Sequence, residues 1–262
     1  MHQKRRRRGL AVGTFSGMEG NVERDSNISA GSEHLVCLLD VLGFENRLNG
    51  EGLDAIYAKY RKLIDYVKSQ RRGFDLLTTP EGHVIMGVGT YGNAFASDWL
   101  LFWMRYNEMA ISEFTRSISE AICIGLEVGL PLRGAIAVGR AILDEEERVF
   151  LGQPLVECAR TEKTQEWIGA SYCRSLLLIH PSTVLPYKRQ YKNLDGPYVT
   201  GIAVNWPRVW RESRTADLEP VVESLDTDSY FRPYYKRTLE FIAFSKQHPN
   251  WNPPLNEPLE FG

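Results

Sequence analysis

Two aspartates stand where a carboxylate is unfavourable. Asp40 follows the apolar run Leu35-Val36-Cys37-Leu38-Leu39, and Asp98 precedes Trp99-Leu100-Leu101-Phe102. Burying either one demands a positive group beside it. After Asp40 the chain reads Val41-Leu42-Gly43-Phe44. A glycine there lets successive backbone N–H groups face one concavity, and free N–H groups near a helix start bind phosphate. Asp40 also offers hard oxygen to Mg²⁺ or Mn²⁺. Taken alone, Asp40 reads as a helix cap, and Asp98 reads as a turn residue making an Asx bond. Taken together, at neighbouring strand ends, the two would repel each other. Paired divalent ions about 3.5–4 Å apart would instead keep both ionised, activate a hydroxyl and hold a leaving phosphate. The chemistry expected is phosphoryl transfer on a nucleotide.

The elements that must position the pair follow from periodicity. Residues 35–39 read as a buried strand. Residues 53–69 read as a helix with Leu53, Ile56, Tyr60, Leu63, Ile64 and Val67 on one face. Residues 83–102 read as two strands that turn at Ala96–Asp98, and residues 108–128 as a helix stopped by Pro131. Leu132–Gly139 is the next strand, and Asp144–Glu147 is a solvated acidic turn. Gly152-Gln153-Pro154 opens a helix, with Pro154 in the first turn. Short strands are expected at Leu176–Ile179 and Gly201–Asn205, and a last helix over residues 230–248. This order predicts an α+β fold: an antiparallel-rich sheet with helices on one face. Residues 1–33 read as a flexible basic leader, 34–180 as the catalytic domain, and 181–262 as a C-terminal extension packed on the core.

Composition excludes several classes. The chain has 262 residues and a formal net charge of −2, so no global basic field draws it to nucleic acid. Lys4-Arg5-Arg6-Arg7-Arg8 is the local exception and reads as a solvated tail; a nucleic-acid-associated protein led by that run is the minor reading. Five scattered histidines show no zinc spacing. The four cysteines form no CxxC pair and read as reduced structural thiols, which suits the cytoplasm. No apolar stretch approaches the ~18 residues of a membrane span.

Four segments together resemble the class III nucleotidyl cyclases. They are Asp40-Val41-Leu42-Gly43-Phe44, Ser97-Asp98, Arg133-Gly134-Ala135-Ile136-Ala137-Val138-Gly139, and the run from Phe150 to Glu162 that contains Gly152-Gln153-Pro154-Leu155-Val156-Glu157-Cys158-Ala159-Arg160. The resemblance spans about residues 35–180. It implies a ferredoxin-like core that dimerises head to tail, as a homodimer with active sites at the interface. It implies two ions per site, Mn²⁺ or Mg²⁺, on Asp40 and Asp98 with the Val41 carbonyl. Gly43, Phe44 and Asn93 are the implied nucleotide contacts, with Phe44 equally readable as a core aromatic. Arg160 matches the transition-state arginine, donated by a second copy of the chain. Its bland alternative is a surface residue paired with Glu157 or Glu162.

The departures from that pattern narrow the substrate. Ala94 and Val149 stand where purine cyclases carry polar base-reading residues, and Val156 stands where an asparagine orients the ribose. A site without those hydrogen-bond groups discriminates poorly for adenine or guanine. The variant set, with its Tyr-rich C-terminal segment, resembles the bacterial pyrimidine cyclases of Pycsar antiphage defence. That likeness implies conversion of UTP to 3′,5′-cyclic UMP, with CTP to cyclic CMP as the alternative, and a downstream effector activated by the cyclic nucleotide. Arg148 joins Asn93 as a group that could reach a pyrimidine edge. The missing asparagine also leaves open a non-catalytic nucleotide-sensing module on the same fold.

Overall fold

Alternation along one strand decides which way Asp40 points. Successive side chains of a strand face opposite sides of the sheet. In β1 (Ser32–Val41), Leu35, Cys37, Leu39 and Val41 enter the larger core, while Val36 joins a second apolar cluster on the other face. Asp40 shares the parity of Val36 and Leu38, so it sits on that second face.

The structure, a computed structural model, describes residues 32–69, 73–78, 84–89, 92–108, 111–176, 184–189 and 199–248. The basic leader up to residue 31, with its arginine run, and the tail beyond residue 248 lie outside the described residues. After β1 come α1 (Phe44–Glu51), α2 (Leu53–Ser69), β2 (Gly73–Thr78), β3 (Val84–Gly89), β4 (Gly92–Ala96) and β5 (Trp99–Arg105). Then follow α3 (Ile111–Glu127), β6 (Leu132–Asp144), β7 (Val149–Gly152), α4 (Gln153–Lys163) and β8 (Gly169–Tyr172). The remaining elements are β9 (Val184–Arg189), β10 (Val199–Val204), α5 (Trp206–Ser213), α6 (Leu218–Ser224) and α7 (Arg232–Gln247).

The main sheet runs β4-β5-β1-β6-β8-β10-β9, with β7 paired to the outer half of β6. Within β4-β5-β1-β6 every neighbouring pair is antiparallel. The strands β1 and β4 flank β5, and β5 and β6 flank β1. The first pair is linked through α1 and α2, the second through α3. Two such interlocked split β-α-β units are the ferredoxin-like arrangement, so the expected α+β fold is the one observed.

Helices α2 and α3 cover one face, and they bury Ile56, Leu63, Phe114, Ile118 and Ile122 against it. Helix α4 adds a layer on the other face, where Cys158 packs with Val36, Leu101, Trp103 and Ala135. The sheet is therefore covered from both sides, whereas periodicity alone suggested one. At Gly134 an added Cβ would meet the Leu38 carbonyl oxygen at 2.0 Å, so only glycine lets β6 lie this close to β1.

One further expectation shifts, and one strand appears that was not expected. The stretch 83–102 holds parts of two hairpins: β3 pairs with β2 in a separate two-stranded sheet, and β4 pairs with β5. A strand not expected from the sequence, β8, lies at Gly169–Tyr172 and is followed by a 3₁₀ turn at Arg174–Leu176, which takes in the first residue of the strand expected at Leu176–Ile179. Residues 177–179 lie outside the described residues. Beyond residue 180, β10 pairs with β8 in the main sheet, and Trp206, Trp210, Tyr234 and Phe241 share the larger core.

Candidate functional site

The β1 register sets the neighbours of Asp40. Trp99 of β5 stands opposite it on one side and Arg133 of β6 on the other. One residue before Trp99 lies Asp98, in the β4–β5 turn. The Val41 N–H donates to the Asp98 carbonyl oxygen at 2.7 Å, and the Tyr60 hydroxyl donates to the Ser97 carbonyl oxygen at 2.8 Å. Ser97 holds φ at 52°, in the left-handed region. The turn is thus pinned to β1 from one side and to α2 from the other, and it carries Asp98 to Asp40. The helix-cap reading of Asp40 does not hold, because Asp40 is inside β1 and α1 has Gly43 at its N-cap without a side-chain cap.

Arg133 supplies the positive charge that a half-buried carboxylate requires. Its Nε and Nη2 each donate to Asp40 Oδ2 at 3.3 Å, and Nη2 lies 2.6 Å from Glu162 Oε1. Nη1 donates to the Gln165 carbonyl oxygen at 3.2 Å, and the guanidinium sits 5.7 Å from the Tyr234 ring centroid. Glu162 is on the buried side of α4, one turn beyond Cys158. This removes one expected pairing: Glu162 meets Arg133 rather than Arg160, while Glu157 accepts from the Ser175 N–H.

Burial holds the Asp40 carboxyl above the usual carboxylate range; Arg133 opposes that rise and the nearby charge of Asp98 adds to it. Burial, then Asp98 and Asp40, also pushes the Tyr60 phenol up. A carboxyl whose pKa rises on folding favours the fold fully below its ordinary value and loses that contribution as pH climbs through the raised one. Asp40→Asn, which stays neutral, is therefore expected to raise the thermal midpoint of the metal-free protein at neutral pH. The gain should vanish at about pH 3, where aspartate is protonated in the folded and unfolded chain alike. Calorimetry at the two pH values checks this.

Two N–H groups of the turn after Asp40 are already engaged. The Val41 N–H is engaged by Asp98, and the Leu42 N–H donates to the Pro131 carbonyl oxygen at 2.9 Å. Neither is left for a phosphate. Gly43 takes φ of +69°, and an added Cβ would lie 2.9 Å from the Phe231 ring. Arg47 fastens this turn: Nε donates to the Leu42 carbonyl oxygen at 3.2 Å, Nη1 to the Gly129 carbonyl oxygen at 3.0 Å, and Nη2 to the Tyr235 hydroxyl at 2.8 Å. Phe44 is half-buried with its ring edge-on to Tyr60 at 6.1 Å, the position of a packing aromatic.

Asn93, Ala94 and Trp99 line a cavity of about 470 Å³ together with Glu145, Arg148 and Phe150 from the β6–β7 arm. Trp99 joins this cavity to Asp40, since the two are cross-strand neighbours. A larger cavity of about 720 Å³ between α3, α5 and α6 contains neither aspartate. Arg160 is exposed on α4, on the side away from Cys158 and Glu162, so this chain does not bring it to Asp40. Val156, one turn before it on α4, is an exposed apolar side chain, and the β6–β7 arm exposes Val149, Leu151 and Ile142, with Ile142 paired to Leu151.

Among the described residues no group of three or more His, Cys, Asp or Glu side chains gathers as a metal cage. Two carboxylates do fit Mg²⁺ or Mn²⁺, because such ions take one or two protein carboxylates and complete their shell with water and substrate phosphate. Both Arg133 contacts fall on Asp40 Oδ2, and Oδ1 carries no Arg133 contact. Arg133, Glu162, Tyr60 and Arg47 were not singled out from the sequence. The one local signal was an arginine opening the apolar run of β6.

No protein-family model matches the chain, and no curated protein matches it. Among solved structures it is similar to the crystal structure of the guanylyl cyclase Cya2, at 16% identity and a TM-score of 0.34, over 66% of this chain and 93% of that one. The fold assignment rests on strand order and not on this likeness. Among the described residues no helix is long and apolar enough to cross a membrane.

Proposed function

We propose that this chain is a nucleotidyl cyclase of the class III type, acting on a pyrimidine triphosphate. The observation that carries the reading is the meeting of Asp40 and Asp98 at the end of β1, on a ferredoxin-like sheet. UTP is the favoured substrate and CTP the alternative. The products are the 3′,5′-cyclic nucleotide and pyrophosphate, and a role in Pycsar-type antiphage signalling through an effector belongs to the same proposal.

Asp40, Asp98 and the Val41 carbonyl would hold two Mn²⁺ or Mg²⁺ ions. Those ions supply acidity to the ribose 3′-hydroxyl and offset triphosphate charge. The 3′-hydroxyl loses its proton to water, its oxygen attacks the α-phosphorus, the bond from that phosphorus to the α,β-bridging oxygen breaks, and pyrophosphate leaves. Trp99 and Phe150 offer apolar surface for a base in the cavity beside Asp40, and Glu145 and Arg148 offer polar groups. The absence of a polar side chain at Ala94 supports a pyrimidine over a purine. Arg160 can act only across an interface, on a nucleotide held by a second copy. Exposed apolar Ile142 and Leu151, cross-strand neighbours on the β6–β7 arm, support such a homodimer, because apolar side chains gathered on a surface mark contact sites.

A non-catalytic sensor is the second reading, favoured by Val156 at the ribose-orienting position. The deciding experiment incubates the purified chain with Mn²⁺ and each of the four ribonucleoside triphosphates separately, with products read by mass spectrometry. Cyclic UMP or cyclic CMP is the expected product. Tight nucleotide binding in calorimetry with no cyclic product from any triphosphate would replace the cyclase with the sensor.

A further inference from the structure

Arg133 presents a difficulty for any cation at Asp40. A guanidinium on a carboxylate already neutralises it, and a divalent ion must compete with that pairing. The geometry shows how the competition is relieved. Arg133 Nη2 lies 2.6 Å from Glu162 Oε1, an ion pair, and 3.3 Å from Asp40 Oδ2, to which Nε and Nη2 both donate, so the guanidinium is shared between the two carboxylates. The Glu162 side chain is only 7% exposed, which keeps water from screening the attraction. The Gln165 carbonyl oxygen and the Tyr234 ring fix the guanidinium from two further directions. The cluster then holds three carboxylates, Asp40, Asp98 and Glu162, against one guanidinium. Net negative charge remains to attract a cation.

From this we propose that Glu162 is a positioning residue that keeps Arg133 from neutralising Asp40 and thereby sets the divalent-ion affinity of the site. The proposal rests on the cyclase reading for the presence of an ion at Asp40, and it adds a role that neither carboxylate of the pair performs. Glu162 touches neither ion nor substrate. Its carboxylate acts through Arg133, in the way that outer-shell groups orient metal ligands.

The test is Mn²⁺ binding to the nucleotide-free, full-length chain, with free ion followed by electron paramagnetic resonance. Glu162→Gln removes the competing carboxylate, so Arg133 closes on Asp40 and the Mn²⁺ dissociation constant should rise roughly 10–100-fold, the range for losing an outer-shell group. Glu162→Asp keeps the charge and should recover most of the affinity; it also serves if Glu162→Gln does not fold. Glu166→Gln removes the same charge from the neighbouring Glu166–Arg237 pair and should leave the affinity unchanged. Wild-type affinity in folded Glu162→Gln, or an equal loss in Glu166→Gln, overturns the role of Glu162 and leaves the cyclase standing. A wild-type chain that binds no Mn²⁺ without nucleotide likewise overturns the role of Glu162, while the cyclase reading is decided by the product assay.

Discussion

Asp40→Ala and Asp98→Ala should each remove Mn²⁺-dependent cyclic-nucleotide formation, by about a thousandfold or more, while the chain stays folded. The magnitude follows from what one aligned electrostatic group contributes to a transition state, roughly 3–4 kcal/mol; losing a carboxylate that holds an ion removes at least that. The fold should survive for reasons visible in the structure. Without Asp40, Arg133 keeps Glu162 and the Gln165 carbonyl oxygen, so no buried charge is stranded. Without the Asp98 side chain, the turn keeps its main-chain bond to Val41 and the Tyr60 bond to Ser97. Product analysis by mass spectrometry, with circular dichroism on the same preparations, measures both halves. Full activity in either folded variant would sink the metal assignment.

The second large effect concerns stability. Trp206→Ala should destabilise the protein by about 3–5 kcal/mol, the range for deleting a buried aromatic ring. Trp206 opens α5 and is fully buried in the same core as Leu35, Phe114 and Ile122. Its indole N–H donates to the Ile168 carbonyl oxygen at 3.2 Å, just before β8, and its own carbonyl oxygen accepts from the Cys123 thiol of α3 at 3.7 Å. The substitution removes the ring and leaves the Ile168 acceptor without its donor. Native domains are stable by only about 5–15 kcal/mol, so the loss should be plain in urea: a lower midpoint with an unchanged slope. A cost below about 1 kcal/mol, within the range of ordinary surface changes, would mean that the segment after residue 200 is not part of the cooperative unit. A fall in slope would mean that it unfolds on its own.

Neither prediction needs the substrate to be known. The first tests the chemistry assigned to one end of the sheet. The second tests the packing that makes the segment beyond β10 a support for that end, since Phe231 and Tyr234 reach Gly43 and Arg133 from α7.

The parts legible in residue order are those with strong local periodicity. Helices α2, α3 and α7 each carry a long apolar stripe, and β1, β5 and β6 carry continuous apolar runs. Pro154 after Gly152 marked the start of α4. The short helices α1, α5 and α6 were not legible, because one or two turns give too few repeats to separate a helix from a loop. Strand β8 was not legible for a related reason. Gly169-Ala170-Ser171-Tyr172 is buried throughout and shows no alternation, whereas Leu176–Ile179 is the more apolar stretch. Burial on both faces erases the period-two signal.

The site divides along the same line. That Asp40 and Asp98 are unusual is a property of their immediate neighbours and needs no fold. Their meeting, and the arrival of Arg133 and Glu162, are not local. Asp40 and Arg133 are 93 positions apart, and they touch because β1 and β6 pair in one register with Gly134 allowing close approach. Helix α4 then lays Glu162 over the same face because Cys158, one turn earlier, is buried there. Local sequence sets which side chains are acidic, apolar or turn-forming. Which acid faces which base depends on strand register and helix packing, and those are settled only when the whole chain buries its apolar surface at once.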